Sequence, residues 1–181
     1  MKKLIGMLIS FSLLIAAGCG FGISTRTDII PVYTPNEQAK LVSFYGGEPQ
    51  EFNGIKWGTE FASLEGMKPY GKRSERGKVD LYAKEGDVLK MANGKLGTPH
   101  YGFWKGKFFI GLVTTQGLSD WNALKGVVFN KYGVGAKPFS NREDYLWAGK
   151  TATGALRLDE FTNEGTFYIR YEPIAKQMES N

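Results

Sequence analysis

Between residues 79 and 172 apolar and polar side chains alternate in short runs, interrupted once by a stretch whose apolar positions recur every three or four residues. In an extended chain Val79, Leu81 and Ala83 point one way while Asp80, Tyr82 and Lys84 point the other, the pattern of a half-buried strand. Residues 100–104 and 108–115 read as two more strands on either side of the turn Lys105-Gly106-Lys107, hence a hairpin. Ser119 then caps a helix in which Trp121, Leu124, Val128, Phe129 and Tyr132 make one apolar stripe, and Gly133 stands where a left-handed residue ends it. Three further strands are expected at 145–149, 155–161 and 166–172, with Asn163 and Gly165 in the last turn.

Upstream, Phe52, Ile55 and Trp57 supply an apolar lead strand and Gly58 a turn. Thr59 caps a short helix whose Phe61, Leu64 and Met67 share one face. Residues 68–78 read as a polar, basic loop. The order helix, three strands, helix, three strands predicts an α+β fold, an antiparallel sheet of about six strands with two helices on one face. It also suggests a tandem helix-plus-three-strand duplication. The opposite sheet face is left to water or to a partner.

The first eighteen residues follow a different rule. Lys2 and Lys3 precede an apolar run over residues 4–15, too short to span a bilayer comfortably, and Ala16, Ala17 and Gly18 lead to Cys19, the one cysteine of the chain. Ala16-Ala17-Gly18-Cys19 resembles a bacterial lipobox, which implies that the Cys19 thiol takes a diacylglycerol and that Cys19, after cleavage before it, becomes the acylated first residue. An ordinary secretory signal would leave that thiol free to oxidise, whereas lipidation removes it. Gly20, in place of the aspartate that holds lipoproteins at the inner membrane, implies an outer-membrane anchor facing the periplasm. In a bacterium with one membrane the domain would sit on the outer face of the cytoplasmic membrane. The expected organisation is a signal peptide over 1–18, a lipidated N-terminus and flexible tether over 19–50, one α+β domain over 51–175 and a C-terminal tail over 176–181.

Composition narrows this picture modestly. Loss of the signal removes two lysines from a formal charge of +5, leaving a mild positive balance that identifies no partner and gives no reason to expect nucleic acid. With Cys19 acylated the fold has no disulfide and must rely on apolar packing. Aromatic side chains at 14% and 24 glycines fit an antiparallel sheet with tight turns.

Motifs for chemistry are sparse. Residues 66–73, GMKPYGKR, have phosphate-loop spacing but end in Arg where a hydroxyl must hold magnesium; residues 144–151, DYLWAGKT, end correctly but begin with Asp on an expected strand. His100 is the one histidine, which leaves no soft-ligand set for zinc and no nucleophilic triad. Neither a cofactor nor a metal is expected, and no catalytic residue is assigned. Glu85 with Asp87, Glu143 with Asp144 and Asp159 with Glu160 are the carboxylate neighbours on which an alternative reading, an envelope hydrolase or glycan-processing enzyme, would depend. Acids in turns also serve simply as solvated surface.

Two surfaces remain as binding candidates. Tyr82, Lys84, Arg157, Asp159, Tyr168 and Arg170, with Trp104 and Trp147, are assigned to the open sheet face, because Tyr, Trp and Arg anchor interfaces. Trp104 and Trp147 also fit a core, and the charged members a solvated face. The basic loop Lys68, Tyr70, Lys72, Arg73, Arg76 and Lys78 fits contact with anionic headgroups or glycan, or an ordinary solvated loop.

The segments FNGIKWGTEF, Gly86-Asp87, HYGFWKGKFF and ALKGVVFNKYG resemble a family of uncharacterised secreted proteins and lipoproteins of Gram-negative bacteria over roughly residues 50 to 175. The shared motifs are apolar and glycine-rich, so the resemblance implies a fold and carries no functional residue. In architecture alone, the chain is also similar to the β-lactamase inhibitor protein and to the small lipoprotein of the outer-membrane β-barrel assembly machine. The resulting expectation is a non-enzymatic envelope lipoprotein that binds another envelope protein, as an assembly factor or an inhibitor.

Overall fold

The computed structural model describes residues 42–74, 78–89 and 97–181. The expected lipobox, residues 16–19, lies outside the described residues. A small hairpin, β1 (Glu51–Phe52) and β2 (Ile55–Lys56), turns through Asn53 and Gly54, both at positive φ. The main sheet comprises β3 (Met67–Ser74), β4 (Val79–Lys84), β5 (Pro99–Trp104), β6 (Lys107–Gln116), β7 (Asp144–Ala148), β8 (Ala152–Asp159) and β9 (Glu164–Tyr171). Their order across the sheet is β3-β4-β5-β6-β9-β8-β7, every pair antiparallel. Helix α1 (Leu118–Tyr132) follows β6, and α2 (Glu172–Glu179) ends the chain.

The fold is α+β as its patterning predicts. Strands β4, β5, β6, β7 and β9 fall within a residue or two of their expected positions, and α1 buries Trp121, Leu124, Val128 and Tyr132 on the expected stripe. Gly133, at φ +76°, ends the helix, and its amide donates to the Phe129 carbonyl at 2.9 Å.

The sheet is buried on both faces, and its register shows how. One line of paired residues runs Tyr82, Tyr101, Gly111, Ile169, Gly154 and Trp147, and the next runs Ala83, His100, Leu112, Tyr168, Ala155 and Leu146. Because successive side chains point to opposite faces, these lines lie back to back. The first face holds Phe52, Tyr101, Phe103, Phe108, Trp147 and Phe167 beneath α1. The second holds Val79, Leu81, Ile110, Leu112, Leu146 and Ala155 beneath Ile174, Ala175 and Met178 of α2. The two helices therefore cover opposite faces.

Three departures from expectation follow from local chemistry. The helix expected near 59–67 is a single 3-10 turn, Phe61–Ser63, which does share a face with α1. The Thr59 hydroxyl donates back to the Lys56 carbonyl at 2.7 Å instead of capping, and Gly66 at φ +73° redirects the chain into β3. The expected basic loop is thus mostly a strand. Pro69 lacks an amide and Lys68 carries charge, which suits an edge strand that pairs with β4 alone. At the C-terminus, Pro173 starts α2 where the expectation placed a strand end and a tail. The two halves also differ in build, since four strands of the main sheet precede α1 and three follow it, so the suggested helix-plus-three-strand unit does not recur strand for strand.

Residues 42–50, expected as the end of the tether, pack against the domain. Val42 makes a parallel bridge to Trp147 on the β7 edge. Phe44, 5% exposed, lies 6.4 Å from the Trp147 ring and 5.6 Å from Tyr132. Both Phe44 and Phe52 fill places where the strands have no side chain: a Cβ on Gly154 would meet the Phe44 ring at 3.3 Å, and one on Gly111 would overlap the Phe52 ring.

Candidate functional site

The structure separates the residues assigned to an open sheet face. Tyr82 lies on the α1 face, where its ring packs 4.4 Å from Phe61 and 5.5 Å from Phe103, and Lys84 alternates to the same side. Trp147, 1% exposed, is core on that face. Tyr168 is buried on the α2 face, and Trp104 is half-buried there with the Lys105 ammonium 4.5 Å above its ring. Arg157 and Arg170 also belong to the α2 face, and both face carboxylates. Arg157 Nε is 3.8 Å from Asp144. Arg170 donates to Glu172 at 3.0 and 3.3 Å and to Glu179 at 3.2 Å, and the Thr153 hydroxyl donates to the same Glu172 at 2.5 Å. Asp159 is spent on the β8–β9 turn. The eight residues therefore do not form one surface, because both sheet faces are packed where one was expected to be open.

The basic group is likewise dispersed. Lys68 pairs with Glu85 at 2.9 Å, the Tyr70 ring lies tilted against His100 with centroids 3.7 Å apart, and the Lys78 ammonium donates to the Met178 carbonyl at 3.3 Å, tying β4 to the end of α2. Lys72 and Arg73 have their backbone in β3 with side chains outside the described part, and Arg76 lies outside the described residues.

The paired acids take separate partners. Glu143 is the best connected: Lys125 donates to it at 2.8 Å, Lys137 at 3.0 Å and the Tyr145 hydroxyl at 3.0 Å. The hydrogen bond from Lys125, reinforced by Lys137 and Tyr145, holds its carboxyl down at about 2. Burial, then the bond to Glu143, pushes the Tyr145 hydroxyl up to about 12. Such a carboxylate cannot donate a proton near neutrality, and it joins α1 to β7. Asp87 accepts from the Tyr101 hydroxyl and from Asn53 Nδ2 at 3.0 Å, while Asn53 also donates to Tyr101 at 2.9 Å. Burial raises the Tyr101 hydroxyl above its ordinary value, and Asp87 raises it further. This set anchors the β1–β2 turn to the sheet. His100, 4% exposed, sits against Tyr70.

Two features escaped sequence reasoning. Glu48 reaches across to the β7–β8 turn, where its carboxylate accepts the amides of Lys150 and Thr151, both at 2.6 Å, and also the Thr151 hydroxyl. The Thr151 hydroxyl, then the amides, lower its pKa. Its place in an expected tether concealed it. Phe161 stands fully exposed on the tip of the β8–β9 hairpin, at 101%. An expected strand through 161 concealed this one, although Asp159-Glu160 just before it is turn-like.

Among the described residues no cluster of three or more His, Cys, Asp or Glu is placed to hold a metal ion, and no helix is long and apolar enough to cross a membrane. Comparison with known protein families, curated proteins and solved structures finds no match for the chain.

Proposed function

We propose that the chain is a lipid-anchored envelope protein, attached to the membrane through acylated Cys19, whose folded domain is a non-enzymatic protein-binding module acting as an assembly factor or an inhibitor. The observation that carries the reading is the N-terminal sequence: two lysines, a short apolar run, Ala16-Ala17-Gly18 and then the one cysteine. The binding role draws support from how the domain spends its reactive groups. Glu143 and Asp87 are engaged by partners that join elements of the fold, and Asp144 faces Arg157. An envelope hydrolase would need two such carboxylates turned toward a shared substrate.

The test is fractionation of wild type against Cys19→Ser. Acyl chains contribute about 0.8 kcal/mol per buried methylene, against about 1 kcal/mol for a basic residue near anionic lipid, so no mild positive charge replaces them. Wild type is expected in the membrane and detergent fractions and labelled by palmitate. The variant is expected in the soluble periplasm, or as an uncleaved precursor. Equal fractionation of the two without palmitate label removes the lipid anchor from the account.

A further inference from the structure

The β8–β9 hairpin turns through residues 160–163, and this tip has a property that the fold does not need. Phe161 is 101% exposed, so no part of its ring rests on the protein. The other exposed large apolar residues among the described ones range from 40 to 75% and keep some contact. A single exposed apolar residue is ordinary on a surface. What distinguishes Phe161 is the rigidity of its support. Asp159 Oδ1 accepts the amides of Phe161 at 3.0 Å and Thr162 at 3.2 Å, and the Thr162 hydroxyl accepts the Glu164 amide at 3.3 Å. From the neighbouring β6–α1 junction, Gln116 Nε2 donates to the Thr162 carbonyl at 2.6 Å and the Gly117 amide to the Asn163 carbonyl at 2.8 Å. A ring displayed on a backbone already tied down loses little freedom on entering a pocket, which is what makes an aromatic residue an effective anchor.

The surroundings of the ring select its partner. Asp120, Glu160 and Glu164 are exposed on the two segments joined by these bonds. Neither 116–124 nor 158–166 contains a Lys, Arg or His, although the chain as a whole carries +5. Leu118, 54% exposed, adds apolar surface beside Gly117. An acidic rim is repelled by anionic headgroups and attracted by Lys and Arg.

We propose that the β8–β9 tip is the docking point of the domain, with Phe161 entering an apolar pocket of a partner protein whose rim carries Lys and Arg. The inference rests on the reading of the domain as a protein-binding module and names the surface that does the binding.

The test places p-benzoylphenylalanine at position 161 of the full-length chain, and separately at the exposed positions Ala62, Asn122 and Lys150, in the cells that make the protein. Irradiation is expected to give one adduct from position 161 with a different protein, mapped to a peptide bearing Lys or Arg. Its yield should fall about five-fold or more when Asp120→Asn, Glu160→Gln and Glu164→Gln are introduced together, and also in wild-type background when salt is raised to screen the charges. Thermal unfolding of the triple variant at the wild-type temperature shows that the fold is intact, and the salt arm stands without it. An adduct with lipid or with a second copy of the chain, or one indifferent to both charge neutralisation and salt, overturns the proposal. An adduct from one of the other positions with none from 161 also overturns it while leaving the binding module standing. No adduct at any position removes both.

Discussion

On one face of the sheet Phe44, Phe52, Phe108, Trp121, Trp147 and Phe167 interlock around α1, whereas on the other Ile110, Leu112, Ala155 and Leu146 lie under a helix of eight residues bordered by ion pairs. The first face recruits side chains from well outside the sheet, because glycines at 111 and 154 leave room for the rings of Phe52 and Phe44. The second sets Phe109 and Tyr168 among aliphatic side chains, and the Arg170 interactions with Glu172 and Glu179 hold α2 at its border. A shared set of strands thus serves two cores of different character. Aromatic packing ties distant segments of the chain together on one side, while the other is finished by a terminal helix.

The comparison is broken most severely at Trp147, where rings of Phe44, Phe129 and Phe167 meet at 6.3–6.4 Å. Trp147→Ala is expected to cost about 3–5 kcal/mol in urea unfolding, by lost burial and the cavity left behind. Trp104→Ala, half-buried on the other face, should cost clearly less; equal losses would mean that the faces do not differ in this way. Next in size is Gly111→Ala, whose methyl must displace the Phe52 ring and should cost roughly 2–3 kcal/mol. The combination with Phe52→Leu, which shrinks the obstructing side chain, should cost less than the two single changes added together. Strict additivity would show that Phe52 does not occupy the glycine gap.

The α2 face is sharpened by Ile174→Ala, expected to cost about 2 kcal/mol because a terminal helix can settle partly into the space. Amide exchange at Leu112 and Tyr168 should quicken while that at Trp121 changes little; uniform quickening would argue against separate cores. The smallest effect belongs to Glu143, which links α1 to β7. Its half-exposed ion pairs are screened, so Glu143→Gln should cost about 1 kcal/mol at neutral pH. Its pKa falls from 4.5 unfolded to about 2 folded, so the stabilisation is complete above pH 4.5 and disappears as pH drops through about 2. Wild type and variant should converge in stability across that interval, and a gap persisting below pH 2 would assign the effect to something other than the charge.

Local periodicity made much of this architecture readable. The alternation in 79–84 and the stripe Trp121, Leu124, Val128 and Tyr132 correctly located strand and helix, since each pattern depends on neighbours within a few residues. It did not show that both faces are buried. Tyr82 and Arg157 look equally outward-facing in a strand pattern, yet Tyr82 packs on Phe61 and Phe103, and Arg157 lies on the opposite face beside Asp144. Those contacts join residues far apart in sequence. Pro173 was a legible start signal for α2, outweighed by the strand pattern running into it. The binding candidates were dispersed for the same reason, and the fully exposed ring of Phe161 carries no periodic signal.

The most direct measurement of the central claim is the intact mass and N-terminal peptide of the mature protein purified from membranes. The account predicts a chain beginning at Cys19 whose mass exceeds that of the polypeptide by a diacylglyceryl group, with or without a third acyl chain. A mature chain that retains residues 1–18, or one that carries Cys19 with an unmodified thiol, would contradict it.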